Sequence, residues 1–315
     1  MTILERSRSV GLGDLPLELV CMIVEHLCLQ DSIHFAAVCR TFRTAVFYTP
    51  RPISLSCDCL QTAAPFLRNL HCIQCLHVHD CSAEILRQIC TCICHAPRVR
   101  TVEMCCSSSA CLTGFSWNHL IRKLELRETS ISATCDTWNE LTNLEVLVLR
   151  CPLDDSLVDD VFLDICAKLP GLKKLAVVGA NALTDACWGV LDCCPNLTHL
   201  FLRGAHLDSI PDLRQTKLEW LDLSGSSLHN DSLRLTELPP LVHLGLEETE
   251  VSGSLTAAIS SSTPISVSLK TLNLRDTAVN PSVFRVLRQF PALRLLDLGE
   301  AIDEDSIVHH LANQH

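Results

Sequence analysis

Leu197 to Leu228 reads LTHLFLRGAHLDSIPDLRQTKLEWLDLSGSSL and contains one pattern twice. Leu197, Leu200, Leu202 and Leu207 are followed 21 residues on by Leu218, Leu221, Leu223 and Leu228. Successive side chains of an extended chain point to opposite faces. The second and third leucines of each set therefore share one face, and the residue between them takes the other. Each set describes a short strand followed by a turn. A unit of this size cannot bury its own apolar face and must lie against copies of itself.

The copies are present. Ile73-Leu76-Val78, Val99-Val102-Met104, Ile121-Leu124-Leu126, Leu144-Leu147-Leu149 and Leu172-Leu175-Val177 precede the central pair, and Leu241-Leu244-Leu246, Leu269-Leu272-Leu274 and Leu293-Leu296-Leu298 follow it. The ten starts lie between 21 and 28 residues apart, the range of leucine-rich repeats. Several strands are introduced by proline, as in Cys194-Pro195-Asn196-Leu197 and Leu169-Pro170-Gly171-Leu172. Helical stretches such as Thr184 to Cys194 and Pro281 to Gln289 precede them. Parallel strands stack about 4.8 Å apart while packed helices need about 8–10 Å, so the strands must line the inner curve. The expected repeat domain, residues 72–315, is an α/β horseshoe of about ten repeats with a parallel inner sheet. The position after each strand departs from the Asn or Cys common in such repeats. It holds Ser226, Thr249 and Thr277 among others, hydroxyls able to satisfy buried backbone groups.

Composition narrows the function. A formal charge of −11 and the lack of a clustered basic face argue against a phosphate-backbone binder. No apolar run reaches the roughly 18 residues that span a membrane. Residues 1–11 read as a flexible start, and the first fourteen lack the apolar core of a secretory signal. Twenty cysteines in that setting imply free thiols in the cytoplasm or nucleus. Cys72 and Cys75 have zinc-ligand spacing, and Cys92-x-Cys94-His95 offers a second half without a clean pair spacing. Cys75, His77 and His79 fall on outward strand positions, and Cys90 on the apolar side of a helix expected from Ala83 to Cys94. The expectation is therefore structural thiols, no metal and no cofactor, and no catalytic Cys/His/acid set stands out.

Residues 12–48 have another character. Pro16 suits the first helical position and Glu18 the positive end of a first helix, along which Leu19, Ile23 and Leu27 recur at helical spacing. Asp31 reads as the N-cap of a second helix carrying Ile33, Ala36, Ala37 and Val38, and Arg40 to Phe47 as a third. Three helices this short make a core that is marginal alone and calls for a partner. Leu15-Pro16-x-Glu18, Ile23, Leu27, Asp31 and Val38-Cys39-Arg40-x-Phe42 resemble the F-box motif over its whole length, with Ile33 and Phe42 where the family usually has Leu and Trp. Residues 49–71, with Pro50, Pro52 and Pro65, read as a non-helical joint followed by a short helix from Leu60 to Leu70.

The resemblance implies a non-catalytic substrate receptor of an SCF-type, cullin–RING ubiquitin ligase. Its Skp-type adaptor would bind Leu15, Pro16, Glu18, Ile23, Leu27, Ile33, Val38 and Phe42. A scaffold without ubiquitination is the alternative class, and a metalloprotein or enzyme built on the Cys/His cluster is a third. The target is expected on the inner curve, where Val146, Val148, Ala176, Val178, Phe201 and Trp220 face outward from the repeats, edged by arginines. Val148, Arg150, Phe201, Arg203, Trp220 and Asp222 are the candidate target contacts, with Phe201 and Trp220 expected within ring contact.

Overall fold

In the computed structural model the strand pattern becomes one parallel sheet of eleven strands whose order is the order of the chain. The structure describes residues 15–56, 73–79, 98–105, 121–128, 131, 137–150, 157–228, 234–251, 264–279 and 287–299. The helices expected over Leu60–Leu70 and Ala83–Cys94, most of Pro281–Gln289 and the flexible start lie outside these residues.

Three helices open the chain, α1 (Leu17–Glu25), α2 (Leu29–Val38) and α3 (Arg40–Tyr48). The N-cap of α2 is Cys28, not Asp31. Its sulfur accepts from the Asp31 backbone N–H, leaving Asp31 inside the first turn. Cys39 caps α3 in the same way, its sulfur accepting from Phe42 N. On α1 the fully buried residues are Val20 and Val24, one position on from the Leu19-Ile23-Leu27 series. Phe42 packs face to face on Phe35 with centroids 4.0 Å apart.

The strands are β1 (Arg51–Ser56), β2 (Ile73–His79), β3 (Thr101–Cys105), β4 (Lys123–Arg127), β5 (Val146–Arg150), β6 (Lys174–Val178), β7 (His199–Arg203), β8 (Trp220–Asp222), β9 (His243–Gly245), β10 (Thr271–Asn273) and β11 (Leu295–Asp297). β1 is a strand that the frame did not anticipate. The prolines at 50 and 52 read as a joint, yet residues 51–56 pair in parallel with β2. Pro52 has no N–H to donate, and the edge of a sheet is where a strand tolerates that.

The frame leucines point away from the inner curve. Leu200, Leu202, Leu221 and Leu223 are completely buried. Each contributes about 2 kcal/mol by leaving water. Short outer helices return the chain: α4 (Thr137–Glu140), α5 (Asp159–Ala167), a 3-10 turn (Asp185–Gly189) running into α6 (Val190–Cys193), and α7 (Pro264–Ser268). Between β7 and β8, the closest pair of repeats, the return has no helix.

The turn after each strand recurs. Glu128, Gly179, Gly204, Gly225, Glu248 and Asp276 all take positive φ at the same place in their repeats, and Gly299 does so one position earlier. Five of them, Glu128, Gly179, Gly204, Gly225 and Glu248, donate N–H to a carbonyl of the next repeat, which prolongs the strand ladder into the turn. Of the hydroxyls just beyond, Thr249 and Thr277 donate back to Leu246 O and Leu274 O at 2.7 and 2.6 Å. Among the described residues the buried Ser226 hydroxyl has no hydrogen-bond partner, so its expected role is not met.

Helical module and repeats share one core. Val20, Val24, Ala36, Phe42 and Val46 continue through Ile53 and Leu76 to Leu298 in a single apolar cluster. The helices close the N-terminal end of the stack.

Candidate functional site

Two surfaces stand apart from this packing. The first lies on the helical module. Leu17, Leu19 and Met22 of α1 are 43, 46 and 59 % exposed, Val38 at the end of α2 is 69 %, and Tyr48 at the end of α3 is 62 %. Large apolar side chains this open are unusual in a small module unless something covers them. Of the residues assigned to an adaptor, Pro16, Glu18 and Val38 are exposed, while Leu15, Ile23, Leu27 and Ile33 are half-buried. Phe42 is 3 % exposed and belongs to the module's core, so it shapes this surface from beneath. Leu17, Leu19, Met22 and Tyr48 were not among the assigned residues. Only the turn of α1 separates its buried Val20-Val24 stripe from its open one, and a single sequence does not give that angle.

The second surface is the inner curve. Its register aligns the outward residues in rows across the strands. One row runs Lys123, Val146, Lys174, His199, Trp220, His243. The next runs Glu125, Val148, Ala176, Phe201, Asp222, Gly245, and a third Arg127, Arg150, Val178, Arg203. Val148, Ala176 and Phe201 thus lie side by side as an apolar centre with charged groups at either end.

At the β4–β5 end those charges form a tight cluster. The Glu125 carboxylate, 5 % exposed, takes Arg127 Nη2 and Arg150 Nε at 2.8 Å each, with Lys123 Nζ at 3.4 Å. Burial alone would push this carboxyl up. The hydrogen bond from Arg150 and the charges of Arg127, Arg150 and Lys123 outweigh that and hold it below the usual carboxylate range. At the other end Arg203 reaches Glu247 at 2.9 Å and Asp222 at 3.6 Å. Asn273 Nδ2 donates to the same Glu247 oxygen that Arg203 holds. The arginines flanking the apolar centre are therefore anchored to carboxylates, with about half of each side chain still open, 47 % for Arg150 and 41 % for Arg203.

Trp220 differs from expectation. The register puts it level with His199 and His243 and puts Phe201 level with Asp222. Its ring partners among the described residues are the two imidazoles, at 5.5 and 4.6 Å between centroids and nearly parallel. Burial lowers the pKa of both histidines, and Nδ1 of His243 is enclosed with no hydrogen-bond partner among the described residues. The row order carried the signal for this stack, since the three residues hold the same position in consecutive repeats.

Cys166, Cys187 and Cys194 of the outer layer are buried. Burial, helped by Asp159 and Asp185, pushes Cys187 up to about 12. The Cys194 thiol donates to Cys166 O and Leu169 O at 3.6 Å. Among the described residues no cysteine forms a disulfide.

Comparison with known proteins agrees with these two parts. The F-box domain profile matches residues 12–51. No curated protein sequence matches the chain. Among solved structures, the Rad7–Elc1 complex of yeast is similar at 16 % identity over 96 % of this chain and 82 % of that chain, with a TM-score of 0.57. The TLR13–ssRNA13 complex is similar at 18 % identity and TM-score 0.53; the match covers 80 % of this chain and 40 % of that one. An internalin, inlF of Listeria monocytogenes, matches at 13 % identity over 90 % and 88 %, with a TM-score of 0.50. Residues 12–51 are an F-box domain, and the described residues after them have the fold of a leucine-rich-repeat solenoid.

Proposed function

We propose that this protein is the target-recognition subunit of an SCF-type, cullin–RING ubiquitin ligase, acting in the cytoplasm or nucleus and carrying no chemistry of its own. The observation behind this reading is the open apolar face of the F-box, Leu17, Leu19, Met22, Val38 and Tyr48, on a module too small to leave it bare. A Skp-type adaptor covers that face. The company of Rad7 and Elc1 in the similar yeast structure is in keeping with a second chain bound to a protein of this shape. The inner curve holds a target protein through Val148, Phe201 and Trp220 between Arg150 and Arg203, and ubiquitin transfer follows from proximity.

The adaptor step is tested by Val38→Asp and by Leu15→Ala with Pro16→Ala. Val38 is 69 % exposed, so its charged variant leaves the melting temperature unchanged while adaptor co-purification drops at least about tenfold. Undiminished adaptor in both variants refutes the assignment. Trp220→Ala weakens capture of a co-purified target by about 2 kcal/mol, as loss of a central aromatic anchor does. A chain that binds adaptor and target yet supports no ubiquitin transfer is a scaffold instead.

A further inference from the structure

The N-terminal end of the inner curve carries side chains of a different chemistry from either surface above. Cys75 and His77 alternate onto the inner face of β2, and the register sets Glu103 of β3 beside His77. Cys75 Sγ lies 3.3 Å from His77 Nε2, and His77 Nδ1 lies 2.8 Å from Glu103 Oε2. One donor atom from each of the three residues falls within 4.8 Å of the other two. We propose that Cys75, His77 and Glu103 form a zinc-binding site, with its fourth position open toward the inner curve.

The donor set is the first ground. Sulfur, imidazole nitrogen and carboxylate oxygen are the three ligand types zinc uses. Bonds of roughly 2.0–2.3 Å in a tetrahedron place such donors about 3.3–3.5 Å apart. His77 offers one ring nitrogen to the ion, and with one donor atom from each residue inside 4.8 Å of the others the set closes to that spacing by shifts of up to about 1.5 Å, which side-chain rotation supplies. Charge is the second ground. A thiolate and a carboxylate balance the 2+ ion while the imidazole stays neutral. All three residues are half-buried, where an unbalanced charge is costly.

The third ground is orientation. Lys123 Nζ holds the other oxygen of Glu103, Oε1, at 3.1 Å and is itself held by Glu125 Oε2 at 3.4 Å. That arrangement fixes the carboxylate plane and leaves Oε2 aimed at His77, as partners behind a metal ligand do. The next row pairs His79 with Cys105 on the same face, so further donors of the same softness stand two residues along both strands. This set shares Cys75 and His77 with the cysteine and histidine cluster of the sequence and takes Glu103 from the neighbouring strand. It was missed because cysteine spacing along the chain does not reveal donors gathered across two strands.

The test is metal content and metal spectroscopy on the purified full chain, and does not depend on the ubiquitin-ligase reading. After incubation with micromolar zinc and removal of excess, elemental analysis gives about one zinc per chain. Cobalt substituted at the site gives a thiolate-to-cobalt charge-transfer band. Cys75→Ser with His77→Ala abolishes both signals, whereas Cys72→Ala and Cys92→Ala retain them. Glu103→Gln keeps the side chain's shape and the fold, and weakens zinc binding at least tenfold. It decides the matter if the double variant fails to fold. Zinc well below stoichiometry in the wild type, no thiolate band, or equal zinc affinity in Glu103→Gln overturns the proposal.

Discussion

Glu125 is the residue on which the inner face most depends. Its carboxylate is nearly closed to solvent and faces three cations, so removing its charge leaves Arg127, Arg150 and Lys123 repelling one another. Those cations keep a third to half of their surface in water, which discounts the loss from that of a fully buried pair. Glu125→Gln is expected to cost about 2 kcal/mol. The pH dependence follows from the lowered pKa. The folded value lies below the ordinary 4.5, so the contribution is fully present above that pH and disappears as pH falls through the folded value. Melts of wild type and variant should differ at pH 7 and converge near pH 2–3. The imidazoles beside Trp220 act with the same sign in a higher window. Burial lowers His243 from 6.5, so neutral His243 contributes above that pH and the contribution is lost on acidification. The sequence placed all these residues on the inner face. It did not show which were tied to one another, because side-chain pairing depends on register between repeats and not on position within one.

At the scale of elements, the return between β7 and β8 has no helix to define it, and a single side chain replaces one. Asp185, at the start of the preceding 3-10 turn, accepts from Asp208 N and Ser209 N at 2.8 and 3.1 Å and from Ser209 Oγ at 2.7 Å. Trp188 Nε1 donates to Ser209 O at 3.0 Å from the same turn. Asp185→Ala should destabilise the protein by about 1–2 kcal/mol and raise amide exchange across residues 206–210, with Asp185→Asn intermediate. The leucine frame made every strand from β2 onward legible, since an apolar face that must be buried leaves one register open. β1 escaped because its prolines read as a joint, although Ile53 and Leu55 alternate as the other strands do. The cap of α2 escaped because sulfur is a weak acceptor and Asp31 a strong one, and the helix began one turn earlier to bury Leu29.

At the scale of the whole molecule, the shared core makes the F-box part of the solenoid's closure. The helices cover the apolar end of the stack, where β1 would otherwise be an open edge. A chain lacking residues 1–48 should melt at lower temperature than the full protein and self-associate with rising concentration in gel filtration. An unchanged melting temperature and a monomeric profile would show that the two parts stand independently. A shared core also gives the open face of the helices and the inner curve a constant relative orientation, which the proposed receptor role would require.

The order of the strands has a bearing on time as well as on shape. Because every strand pairs with the strand before it, no sheet contact waits for a distant part of the chain to be found. The separation to be closed is one repeat at each step, a few tens of residues, and loop-closure entropy rises only slowly over such lengths. Acquisition of structure can therefore travel along the chain as a front, each completed coil serving as template for the next. On the ribosome the front starts from the helices that emerge first, so the end that needs covering is covered before the rest of the sheet has been made.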